Sequence, residues 1–64
     1  MADMPPITIL NVEDYFASRT ATSALLQQAG YHVIEAETGL QALQLAASVK
    51  PHLILLDEIG RAHV

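Results

Sequence analysis

Three short apolar runs, separated by two stretches of helical spacing, constrain this chain more than any other feature. The runs are Ile7-Thr8-Ile9-Leu10-Asn11-Val12, Tyr31-His32-Val33-Ile34-Glu35-Ala36 and His52-Leu53-Ile54-Leu55-Leu56-Asp57. Each is short, and the first two are rich in β-branched residues, so each reads as a strand, over 7–12, 31–36 and 52–57. Between the first two, residues 15–29 contain no Gly or Pro and are rich in alanine. Phe16, Thr20, Ala24 and Leu25, with Ala21 and Leu26 beside them, fall near one stripe, which predicts a helix buried along that stripe. Gly30 stands where a left-handed C-cap belongs. Thr38-Gly39-Leu40-Gln41 has the form of a capping box, with the Thr38 hydroxyl serving the amide of Gln41 and Gln41 reaching back. A second helix is predicted over 39–49, with Leu40, Leu43 and Ala47 on its buried face. Pro51 ends it, because the residue before a proline disfavours helix. The order β-α-β-α-β implies parallel strands and right-handed crossovers.

Composition agrees with a parallel sheet. Of 64 residues, 52% are hydrophobic, a high share for a small domain, which has more surface to cover. The third run is apolar without alternation, the pattern of a strand covered on both faces. The chain therefore reads as a piece of a larger core. It has no cysteine, so neither disulfides nor thiolate metal sites are available, which fits a reducing compartment. Three basic residues, Arg19, Lys50 and Arg61, against a net charge of −4 make no stripe for nucleic acid. No apolar run approaches the roughly 18 residues of a membrane span. Residues 1–6 lack the pattern of a secretory signal. They read as a disordered lead, and the expected location is the cytoplasm.

The acids fall at strand ends. Glu13 and Asp14 follow the first strand, and Asp57 closes the third. In open parallel sheets ligands bind beyond the carboxyl ends of the strands, where strand order reverses. In the flavodoxin-like order 2-1-3 the first and third strands are neighbours, so Glu13, Asp14 and Asp57 would converge on one crevice. Three carboxylates together repel one another, and a hard cation relieves that repulsion. Mg²⁺ takes one or two carboxylates, waters and a phosphate oxygen. Such a site suits phosphoryl transfer onto a carboxylate, with Asp57 as the nucleophile. The bland reading is that Asp14 caps the first helix, a role compatible with the metal site, and that Asp57 forms a turn.

Here the residues reach a family. Ile9-Leu10-Asn11-Val12-Glu13-Asp14, Ala29-Gly30-Tyr31, Glu35-Ala36-Glu37-Thr38-Gly39, Ala42-Leu43, Lys50-Pro51 and Leu53-Ile54-Leu55-Leu56-Asp57 together resemble the receiver domains of bacterial two-component response regulators. The resemblance covers residues 7–57, about half of a full receiver. It implies a CheY-like α/β fold, a flavodoxin-like doubly wound parallel sheet truncated to β-α-β-α-β. It also implies that Glu13 and Asp14, with Asp57, hold Mg²⁺. Asp57 would accept phosphate from a histidine kinase or phosphotransfer protein, so the segment is an acceptor and not an enzyme. The wording Ile-Leu-Asn-Val-Glu-Asp looks most like receivers fused to a kinase or output domain. The alternative is a receiver-like interaction or dimerisation module that is not phosphorylated. A more distant one is a haloacid-dehalogenase-like phosphatase, whose second Asp would fall at Ile59.

The resemblance stops after Asp57. Receivers continue with an apolar pair, a proline and a glycine turn, and this chain has Glu58-Ile59-Gly60-Arg61-Ala62-His63-Val64. The backbone carbonyl that completes the family's Mg²⁺ site would be that of Ile59. The hydroxyl residue and lysine of the later strands have no counterpart. Residues 59–64 can be encoded by ATC GGA AGA GCA CAC GTC, with TGA next, a string that resembles a short-read sequencing adapter. The expectation is that 58–64 is a non-native tail and that the fragment is inactive. His32 and His52 read as strand-end residues, since scattered histidines give no ligand spacing. Gly30, Gly39 and Gly60 form no nucleotide-binding loop.

Overall fold

A computed structural model describes residues 5–56. The elements follow in the expected order: β1 (Thr8–Val12), α1 (Phe16–Gln28), β2 (His32–Ala36), α2 (Gly39–Val49) and β3 (Leu53–Leu56). The strands form one parallel sheet in the order β2-β1-β3. β1 pairs with β2 from Thr8↔His32 to Val12↔Ala36, and with β3 from Ile9↔Leu53 to Val12↔Leu56. This is the α/β, doubly wound sheet that the sequence predicts, in truncated form. The predicted tail at 58–64, most of the lead, His63 and Asp57 itself lie outside the described residues.

The two helices cover opposite faces of the sheet. Side chains alternate along β1, and Leu10 and Val12 pack with Ala36 and Ala42 into the apolar core, with Ile34, Leu45 and Ala46 at its margin. Asn11 points the other way, into α1, where its Nδ2 donates to the Arg19 carbonyl at 3.2 Å and to Ser23 Oγ at 3.0 Å. Both helices pack on β1 and β2, and neither reaches β3.

The buried helix faces differ from those predicted. On α1, Arg19 and Ser23 are buried, while Phe16 and Leu25 are 69% and 68% exposed. Thr20, Ala21 and Ala24 are exposed too, and only Leu26 of the predicted stripe is half-buried. Asn11 sets this rotation, because a buried amide needs partners on the helix above it. On α2 the inward residues are Ala42, Leu45 and Ala46, whereas Leu40, Leu43 and Ala47 are exposed. This helix is apolar around much of its circumference, so two stripes satisfy helical spacing. The one containing alanines allows closer approach to the sheet. β3, whose composition suits a strand covered on both faces, is exposed at all four residues.

Helix ends follow local chemistry. After α1, Gly30 takes φ +100. The Gly30 N–H donates to the Gln27 carbonyl at 3.0 Å and the Tyr31 N–H to the Leu26 carbonyl at 3.1 Å, the paired bonds of a Schellman cap. The Thr38 side chain accepts from the Gln41 N–H at 3.0 Å, as the capping box predicts. Gln41 Oε1 reaches one residue further back than expected, accepting from the Glu37 N–H at 2.7 Å. Lys50, before Pro51, closes α2 in the left-handed region at φ 57.

Candidate functional site

The register places the site. Val12 and Leu56 are partners on adjacent strands, and in sequence each is followed by an acid, Glu13 and Asp57. Among the described residues the acidic pair Glu13-Asp14 stands where β1 ends, at the sheet's carboxyl edge.

Glu13 is fixed at every polar group of its backbone and at its side chain. Its N–H donates to the Ala36 carbonyl at 3.1 Å, extending the β1–β2 ladder by one residue. Its carbonyl accepts from Arg19 Nη1 at 2.9 Å. Its carboxylate Oε2 accepts from the Tyr15 N–H at 2.7 Å, a short charge-assisted bond. The last bond corrects one expectation. Asp14 does not cap α1; Tyr15 is the N-cap position and makes no side-chain bond, while Glu13 satisfies the Tyr15 amide. Glu13 is buried and Asp14 is exposed, so the pair presents one anchored carboxylate and one directed to solvent.

A buried polar layer lies under α1 and reaches this turn through Arg19 alone, and it was not singled out from the sequence. It consists of Asn11, Arg19 and Ser23. Its signal was present: one Asn inside an otherwise apolar strand has to find hydrogen-bond partners. Arg19 also lies near Glu35 (Nε to Oε1, 3.7 Å) and Glu37 (Nη2 to Oε2, 3.6 Å), with its guanidinium 5.4 Å from the Phe16 ring centroid. His52 takes the strand-end role expected of it: its Nδ1 accepts from the Thr8 N–H at 2.9 Å.

The donor set fits a hard divalent cation. Two adjacent carboxylates are what Mg²⁺ commonly takes from a protein, the remaining positions being filled by water and phosphate oxygen. One Glu13 oxygen is committed to Tyr15, which leaves the other and the whole Asp14 carboxylate. Among the described residues no group of three or more His, Cys, Asp or Glu is placed to hold a metal. No helix among them is long and apolar enough to cross a membrane.

A parallel 2-1-3 sheet with acids at the carboxyl end of its middle strand defines a doubly wound α/β protein of the flavodoxin-like class. Comparison with known proteins narrows this. The chain is 37% identical over 49 residues to sporulation initiation phosphotransferase F of Bacillus subtilis (strain 168), covering 77% of this chain and 40% of that protein. It is 39% identical over 59 residues to the nitrate/nitrite response regulator protein NarL of Escherichia coli (strain K12), covering 89% of this chain and 27% of that protein. The chain therefore spans less than half the length of either relative. No family model matches it, and no solved structure does. With the fold, these similarities support reading the chain as a receiver-domain segment similar to those of response regulators.

Proposed function

We propose that this segment is the phosphoacceptor part of a two-component phosphorelay receiver, taking a phosphoryl group onto Asp57 in the presence of Mg²⁺. The donor would be a histidine kinase or phosphotransfer protein. The observation that carries this reading is the parallel pairing Val12↔Leu56, which sets Glu13-Asp14 and the sequence position of Asp57 after partnered residues of adjacent strands. The relatives, a phosphotransferase and a response regulator by name, support the same reading.

Glu13 and Asp14, with Asp57, would hold the cation. When bound, it would supply neutralisation of charge on the phosphoryl oxygens. The Asp57 carboxylate would form the new P–O bond as the P–N bond to the donor imidazole breaks, and the released imidazole nitrogen takes up a proton. Glu13, tied to Tyr15 and Arg19, contributes a carboxylate that needs no reordering. The segment is an acceptor and not a turnover enzyme, and it would work in the cytoplasm, attached to a kinase or output domain.

The test is labelling of the intact protein by a small acyl-phosphate donor with Mg²⁺. The expected result is incorporation that Asp57→Asn abolishes. Undiminished labelling of that variant refutes the assignment. No labelling of the wild type favours the unphosphorylated interaction module instead.

A further inference from the structure

Arg19 is 6% exposed beneath α1 and is gripped from two sides. Asn11 Nδ2 donates to its carbonyl at 3.2 Å, and its own Nη1 donates to the Glu13 carbonyl at 2.9 Å. Asn11 and Glu13 lie two residues apart at the end of β1, so the bonds close a ring from strand to helix and back to the strand end. Burying a guanidinium is costly, and a well-packed apolar residue docks a helix as well or better. Packing of α1 therefore does not account for an arginine here. What its planar, always-charged fork provides is a fixed set of donors. One donor is aimed at the carbonyl of the residue that opens the acidic pair, and two others lie toward Glu35 and Glu37 at the end of β2.

We propose that Arg19 is a positioning residue for the acidic pair. It fixes the backbone at Glu13 so that the Glu13 and Asp14 carboxylates are presented to a divalent cation without rearrangement, and it ties that turn to the end of β2. The inference rests on the phosphoacceptor reading above. Two roles for Arg19 have opposite signs. A cation beside two acids weakens Mg²⁺ binding by repulsion, so its removal would tighten binding. A positioning residue strengthens binding, so its removal weakens it.

The experiment is Mg²⁺ titration of the intact protein, followed by calorimetry and by the backbone amide resonances of Asp14 and Tyr15. Arg19→Gln and Arg19→Lys are each expected to weaken Mg²⁺ affinity about 10-fold, the loss typical when support behind a metal ligand is removed. Arg19→Lys keeps the charge and loses the fork, and it decides the question alone if Arg19→Gln does not fold. Ser23→Ala removes a partner of Asn11 without touching Glu13; it should lower the melting temperature and leave Mg²⁺ affinity unchanged. If both Arg19 variants bind Mg²⁺ as tightly as wild type or more tightly, while Asp14→Asn abolishes binding, the positioning role is overturned and the phosphoacceptor reading stands. If wild type binds no Mg²⁺ and Asp14→Asn changes nothing, both fall.

Discussion

Asn11 is fully buried in a strand that is otherwise apolar, and its two polar atoms fare differently. Nδ2 has two acceptors, on Arg19 and Ser23, whereas Oδ1 has no partner among the described residues. A buried acceptor left unpaired costs about 1–3 kcal/mol, which stands against the two bonds its amide donates. Gly30 and Thr38 carry simpler obligations. At φ +100, Gly30 sits where L side chains are strained, although a Cβ there would meet nothing within 4 Å. Gly30→Ala should therefore destabilise by about 1–2 kcal/mol through backbone strain alone, measured by denaturant unfolding of the intact protein. Thr38→Ala removes the hydroxyl that accepts the Gln41 amide and should cost about 1 kcal/mol, with Thr38→Ser retaining most of it.

β3 is the element whose surroundings depart furthest from its composition. Leu53, Ile54, Leu55 and Leu56 are 56%, 49%, 36% and 65% exposed, and among the described residues β3 pairs along one side only, with β1. An apolar strand with a free edge is a template for pairing with other chains. The 64-residue chain in isolation should self-associate with rising concentration, and Ile54→Lys should reduce that association, read by sedimentation or light scattering. Exposed Phe16 and Leu25 on α1 and Leu40 and Leu43 on α2 add to the same tendency. Both helices are held by small or polar inward residues, Ser23 on one and Ala42 on the other.

Among the described residues the fully buried apolar side chains are few: Ile9, Leu10, Val12 and Ala36, with Ala42 close behind, and three of them lie on the central strand. A domain this small buries only about 60% of its unfolded surface even when well packed; the chain has no cysteine for a disulfide, and neither helix among the described residues covers β3. The 64-residue chain alone is expected to lack a cooperative thermal transition as a monomer; a sharp transition from a monodisperse sample would contradict that.

The sequence by itself determined the element order, the parallel sheet, the caps at Gly30 and Thr38, and the acids at the ends of strands. Each of these is local: the spacing of apolar residues, a glycine at a helix end, a hydroxyl three residues before an amide, an acid after an apolar run. Tertiary contacts set which helix faces are buried and which of Glu13 and Asp14 is anchored. The α1 stripe through Phe16, Thr20 and Ala24 satisfies helical spacing, but spacing cannot register that Asn11, on a neighbouring strand, draws Arg19 and Ser23 inward. On α2 two stripes were equally apolar, and only contact with Leu10, Val12 and Ala36 selected the one through Ala42. Glu13 and Asp14 are neighbours in sequence and equal in charge. One became the buried anchor of the α1 turn and the other stayed in solvent, because only Glu13 meets Ala36, Arg19 and Tyr15 at once.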